Sequence, residues 1–202
     1  MGNPATTRER ILDQGLALMS QAGLEGVTLG VLADQVGMSK SGLFAHFRSK
    51  EEVQIRLLEH TAVVGAAYII APSMKEPEGL PRLKALVKHW FGWASRAGLP
   101  GGCPVAAGMF EFDDVEGPVR DKISAMEAEW RGLLTKAVAD AISLGHLRGD
   151  LDAAQFVWEL CGIYLSHHVA QRFLKSPDAD RRAHTAFAAL LERAAPVKRK
   201  KK

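Results

Sequence analysis

The chain has 202 residues, of which 26 are lysine or arginine and 23 aspartate or glutamate, and 47% are apolar. That length and apolar share exclude a disordered or fibrous protein and allow one large core or two small ones. The net charge of +3 is concentrated at the end: Lys198, Arg199, Lys200, Lys201 and Lys202 are all basic, and without those five the chain sums to −2.

Residues 1–5 are expected to fray, and Thr6-Thr7-Arg8-Glu9 then has the form of a capping box. Ile11, Leu12, Gly15, Leu18, Met19 and Ala22 follow at helical spacing, and Gly23 stops the helix. Thr28 is a suitable N-cap for a second helix carrying Leu29, Leu32, Ala33 and Val36. Gly37 ends it, since glycine enters the left-handed region without steric cost. Met38 plugs the turn, and Ser39 caps a third helix with Leu43 and Phe47 facing inward. Two short helices across so tight a turn are a helix-turn-helix, whose second helix reads the DNA major groove. Its outward residues Lys40, Ser41, Gly42, Ala45 and His46 are small or polar, which permits close approach to base edges and phosphates. Ser49-Lys50-Glu51-Glu52 is a second capping box, opening a fourth helix with Val53, Leu57 and Val64 inside. That helix is expected to run to about Ile70 and to end at Pro72.

The run ADQVGMSKSGLFAHF from Ala33 to Phe47, followed by Ser49-Lys50-Glu51-Glu52, resembles the DNA-binding domain of the tetracycline-repressor (TetR) family. The resemblance spans roughly Thr7 to Leu58, about a quarter of the chain. It implies an all-helical homodimeric repressor that releases a DNA operator when a small-molecule effector enters its C-terminal domain. Carried onto this sequence, it implies phosphate contacts from Thr28 and Lys50 at two helix starts. Ser39 would open the reading helix, with Lys40, Ser41 and Gly42 on base edges and Phe44 and His46 against the sugar-phosphate backbone. The family often has threonine or serine at position 42 and tyrosine at 44 and 45, where this chain has Gly42, Phe44 and Ala45. Phe44 has no hydroxyl to donate to a phosphate, so base reading would rest on few side chains and on DNA shape. The alternative for Phe44 and His46 is that they pack the small domain.

Pro72 to Pro81 reads as a loop and domain boundary, and Pro81 suits the first turn of a fifth helix with Leu83, Leu86, Val87, Trp90, Phe91 and Trp93. After Gly98, Pro100, Gly101 and Gly102 a short helix is expected from Pro104 to about Asp113. The longest pattern covers about 119–145, and a turn at 145–150 separates it from a helix capped by Asp152 with Gln155. Ser176-Pro177 is expected to open the last helix. Nine helices and no strand make the fold class all-α. The expected division is a helix-turn-helix domain over 1–48 continuing into a connecting helix at 50–70, an effector-binding and dimerisation domain over 71–195, and a basic tail over 196–202.

Small and apolar residues occupy more than one face of the last two helices, about 152–174 and 177–194: Ala153, Ala154, Gly162, Ala170, Ala183, Ala186, Ala188 and Ala189. Such helices have a second surface to cover, either in a large monomeric core or against the same helices of a second subunit. Two-fold DNA half-sites favour the dimer. Trp90, Trp93, Phe110, Trp130, Trp158 and Tyr164 crowd the middle helices. They are candidates for lining a site for an apolar or aromatic effector, or else ordinary core. Cys103 precedes a helix start, a setting that activates thiols, so it is a candidate redox residue as well as a packed thiol. The adjacent His167 and His168 point about 100° apart on a helix and read as surface or interface residues. Asp113, Asp114 and Glu116 read as a solvated turn.

With Cys103 and Cys161 far apart and no metal-ligand spacing, neither a disulfide framework nor a metal is expected. Without a bilayer-length apolar run or a signal segment, a cytoplasmic protein without membrane contact is expected. No nucleophile elbow, phosphate loop or catalytic triad is present, so neither an enzyme nor a cofactor is expected. The basic tail is either a solvated end or a source of sequence-independent phosphate affinity. An effector-independent DNA-binding protein remains the rival to a ligand-released repressor.

Overall fold

The structure, a computed structural model, describes residues Thr6–Pro196; the frayed start expected at 1–5 and the basic run at 198–202 lie outside the described residues. Those residues form helices and connecting turns, with no strand among them. The helices are α1 (Thr7–Ala22), α2 (Leu29–Val36), α3 (Lys40–Phe44), α4 (Lys50–Gly65), α5 (Leu80–Trp90), α6 (Trp93–Arg96), α7 (Pro104–Glu111), α8 (Pro118–Ser143), α9 (Ala153–Arg172) and α10 (Ala179–Ala194). The all-α class holds, with one helix more than expected because the fifth is broken at Gly92, where φ is +68°.

Two further boundaries differ from the sequence pattern. Pro72 does not end the fourth helix: a π-turn at Ala66–Ile70 follows α4, and a last turn at Ala71–Ser73 contains the proline. Proline lacks an N–H and crowds the preceding turn, and a widened turn just ahead of it lets the helix continue. Ser73 Oγ donates to Ile69 O at 2.6 Å and secures the end. The last helix begins at Ala179, two residues beyond Pro177, with Asp178 at its cap position. An 18-residue stretch within Lys50–Ser73 has a mean hydropathy of 1.2, long and apolar enough to cross a membrane by length and composition only. Val53, Leu57 and Leu58 on one side of this helix are buried in a protein core.

The chain forms two compact units, each discontinuous in sequence. The first comprises residues up to Ala66 together with Trp93–Glu127. Its core joins Ile11, Leu16 and Met19 of α1, Leu32 and Ala33 of α2, Leu43 and Phe47 around α3, Leu57 and Leu58 of α4, and Phe112, Val119 and Ile123. Here α7 packs on α1 and α4, so the trihelical head and α4 share a core with a segment remote in sequence. The second unit comprises Ala67–Gly92 and the chain from Ala128 onward. In it α9 and α10 form the most extensive helix pair, and α5 packs on the Ala71–Ser73 turn.

Candidate nucleic-acid interface

Three side-chain caps set the geometry of the head. Val31 N–H donates to Thr28 Oγ1 at 3.2 Å, Gly42 N–H to Ser39 Oγ at 3.1 Å and Glu52 N–H to Ser49 Oγ at 3.0 Å. Each cap satisfies one of the N–H groups that a helix start leaves free. Between α2 and α3 the chain reverses at Gly37, with φ +68° and ψ +35°, and Met38 N–H returns to Ala33 O at 2.9 Å. Leu43 and Phe47 are fully buried and anchor α3, and the Arg8 guanidinium lies 4.9 Å from the Phe47 ring centroid.

The opposite side of α3 is open. Lys40 and Ser41 are exposed, Gly42 and His46 half-buried, and Phe44 is 50% exposed. Phe44 is therefore not a core residue of the head, whereas His46 leans on Phe47 with ring centroids 6.4 Å apart. Ser41 Oγ and Ser39 Oγ lie 3.1 Å apart. Lys40 folds back along α2: its Cε would lie 3.3 Å from a Cβ placed on Gly30, so the absence of a side chain at Gly30 makes room for it.

Lys50, at the first position of α4, has a partner that sequence spacing does not reveal. Its Nζ donates to Glu25 Oε2 at 2.8 Å. That hydrogen bond holds the Glu25 carboxyl below its ordinary range, against a smaller opposing effect of burial, with help from Gln54 and from the lysine charge. Glu25 sits in the α1–α2 turn, which accepts Gln54 Nε2 at Leu24 O (2.8 Å) and donates the Glu25 N–H to Glu111 Oε2 of α7 (3.1 Å). Glu25 and Gly30 thus adjoin Lys50 and Lys40, and Glu111 adjoins Glu25, without any motif pointing to them.

The profile for the tetR family of bacterial regulatory proteins matches residues 11–57, and the tetracyclin repressor-like C-terminal domain matches residues 79–187, more than half the chain. The chain belongs to the TetR family. Nucleoid occlusion factor SlmA of Cronobacter sakazakii is 31% identical over 178 residues, covering 86% of this chain and 88% of that protein. A TetR transcriptional regulator from Chloroflexus aurantiacus shares the fold with a TM-score of 0.81 at 24% identity, covering 92% of each chain. AibR, solved in complex with isovaleryl coenzyme A and operator DNA, superimposes with a TM-score of 0.71 at 20% identity over 91% of this chain and 97% of its own. As a TetR-family DNA-binding regulator, the chain is not an enzyme.

Of the six aromatic candidates for an effector site in this TetR-family chain, three are in ring contact within the second unit. Trp90 stacks on Tyr164 with centroids 3.9 Å apart, and Trp130 meets Trp90 edge-on at 5.0 Å, all in the second unit. The indole Nε1 of Trp130 is buried with no hydrogen-bond partner. Trp93, beyond the Gly92 break, is buried in the first unit, and Phe110 of that unit is 57% exposed. Trp158 is 66% exposed on α9. It borders a groove of about 530 Å³ along α9 and α10 with Gly162, Ile163, Ser166, Ala186 and Ala189.

His167, Cys103 and the acidic residues at 113–116 take these places in the fold. His167 is buried rather than superficial: its Nε2 lies 2.7 Å from Asp180 Oδ1, and its ring stacks on Phe91 at 5.3 Å. Cys103 is buried at the cap position of α7, the setting of a packed thiol. Asp113, Asp114 and Glu116 are exposed, and among the described residues no three His, Cys, Asp or Glu side chains gather as a metal ion requires.

Proposed function

We propose that this TetR-family protein is a homodimeric repressor that reads a palindromic operator in the cytoplasm through α3. The observation that carries this reading is the two-sidedness of α3: Leu43 and Phe47 anchor it while Lys40, Ser41 and Phe44 stand outward. On this reading Ser41 and Gly42 meet base edges. Thr28, Ser39, Phe44 and His46 lie along the backbone, Lys50 takes a phosphate, and Lys40 sits close enough to α2 to serve either role. Family members bind operator DNA as dimers. The groove along α9 and α10, with Trp158 exposed beside small residues, supports pairing through those two helices. The functional division would then be a reading head over 1–48, a connecting helix over 50–70 and an effector and dimerisation domain from 71 to 195.

For the effector, the support is the group of Trp90, Trp130 and Tyr164 with an unused indole N–H, which suits a mainly apolar or aromatic molecule carrying one acceptor. AibR shows that a protein of this fold can hold a small molecule together with operator DNA. A second reading, a DNA-binding protein that needs no effector, is favoured by the SlmA relatives, which are named nucleoid occlusion factors. Mass spectrometry of metabolites carried by the purified protein, with titration of the hits against DNA binding, separates the two. The DNA reading is tested by selecting duplexes from a random pool and measuring affinity against salt. A two-fold symmetric site and a linear fall of log K with log salt are expected. Recovery of no preferred sequence would overturn the operator.

A further inference from the structure

We propose that Glu25 is a resident substitute for DNA phosphate on Lys50, held in register by Glu111 of α7. This rests on the reading of Lys50 as a phosphate contact. The geometry is built from both sides of the α1–α2 turn. On one side Gln54, 3% exposed, donates to Leu24 O at 2.8 Å and reaches Glu25 Oε1 at 3.4 Å. On the other, Glu111 Oε2 accepts the Glu25 N–H at 3.1 Å. Its carboxylate occupies the space that a side chain on Gly23 would need, and Gly23 has φ +75°. Gly108, one turn earlier on α7, faces Leu24 so closely that a Cβ there would lie 2.9 Å from Leu24 Cδ1. The turn that carries Glu25 is thus seated on α7, and its carboxylate is delivered to Lys50 Nζ at 2.8 Å.

DNA must therefore recruit an ammonium that already has a carboxylate partner. Whether the lysine exchanges partners or serves both, the Glu25 charge weakens the phosphate contact. Glu25 and Glu111 act as positioning residues that set the strength of a contact made by Lys50. The pair is partly exposed, with side-chain exposures of 39% for Lys50 and 61% for Glu25, so its effect is modest.

The test uses the full-length protein and two duplexes, one selected by the wild type and one of random sequence, at fixed ionic strength. Glu25→Gln is expected to tighten binding to both by about two- to fivefold, the range of an exposed ion pair. Glu111→Ala, which frees the turn, is expected to tighten binding in the same direction by less, whereas Glu111→Gln, which keeps an acceptor oxygen, is expected to match the wild type. The readout that a merely structural role would not move is the double mutant: in a Lys50→Ala background the gain from Glu25→Gln disappears. Unchanged or weaker binding by Glu25→Gln overturns the proposal, as does a gain that persists without Lys50. If Lys50→Ala alone leaves affinity unchanged, the phosphate reading itself fails, and the proposal with it. If Lys50→Ala weakens binding while Glu25→Gln is neutral, only the substitution of Glu25 for phosphate is refuted.

Discussion

Gly101 is held against Ser20 through both serine oxygens: the Gly101 N–H donates to the side-chain Ser20 Oγ at 3.0 Å, and the neighbouring Gly102 N–H donates to the backbone Ser20 O at 3.1 Å. A methyl group on Gly101 would collide with the Ser20 carbonyl, which is fixed at the end of α1 and cannot swing aside. Gly101→Ala is expected to destabilise the protein by about 1–3 kcal/mol, the usual cost of forcing atoms into a filled contact. Urea denaturation reads this as a lowered midpoint with an unchanged slope. Gly98→Ala, where no atom lies within 4 Å of the added carbon but φ is +75°, compares backbone strain alone.

The anchors of the reading helix make a second test. Leu32 and Phe47 are fully buried in the core of the first unit. Truncation of either to alanine leaves a cavity and is expected to cost ~2–5 kcal/mol. Circular dichroism melts of Leu32→Ala and Phe47→Ala check this, and DNA affinity is expected to fall with the folded fraction.

Phe44 offers the opposite case, since it is half exposed rather than part of the core. Phe44→Tyr adds a hydroxyl on the side proposed to face the sugar-phosphate backbone. Stability is expected to change by less than about 0.5 kcal/mol, as for other surface substitutions. Affinity for the selected duplex is expected to rise severalfold through one new hydrogen bond to phosphate. Fluorescence anisotropy titration measures it.

Dimerisation can be probed without harming the subunit at Gly162, which is exposed on the α9–α10 groove and has open space around the position of a Cβ. Gly162→Arg is expected to leave helix content and thermal stability of the isolated subunit intact. It places a bulky charge in the proposed interface, so sedimentation velocity is expected to show monomers and operator affinity to collapse.

Acid sensitivity is expected from His168. Burial lowers its pKa below the ordinary value, and the charges of Arg172 and His167 push the same way. In the unfolded chain His168 titrates near 6.5. From about that pH downward the unfolded state binds more protons than the folded one, so stability falls as pH drops towards the depressed folded value. Above that window the group contributes no pH dependence. His168→Gln is expected to flatten this limb of the stability profile, measured as denaturation midpoints between pH 5 and 8.

Local signals made the head legible. Thr28, Ser39 and Ser49 cap their helices as their positions predict, and Gly37 takes the left-handed conformation. All depend on neighbours within three or four residues. The break at Gly92 was not legible, because Leu83 to Trp93 keeps an apolar pattern through it and all of Leu83, Leu86, Val87, Trp90, Phe91 and Trp93 are indeed buried. Burial does not by itself say that a helix is continuous. Nor did Pro72 act as a stop, since the π-turn ahead of it absorbs the misfit.

What the amino-acid order determined unaided was the all-helical class, the helix-turn-helix with its inward Leu43 and Phe47, and a family resemblance carried by a short run of residues. Periodicity and capping are properties of consecutive residues, and they survive without knowledge of the rest of the chain. The tertiary structure alone decided that Glu25 lies on Lys50, that Glu111 reaches back 86 residues to hold the turn, and that Trp158 and Phe110 face outward while Trp90, Trp130 and Tyr164 gather. Those relationships join side chains from distant helices. Their geometry is set by how whole faces pack, which no local spacing encodes.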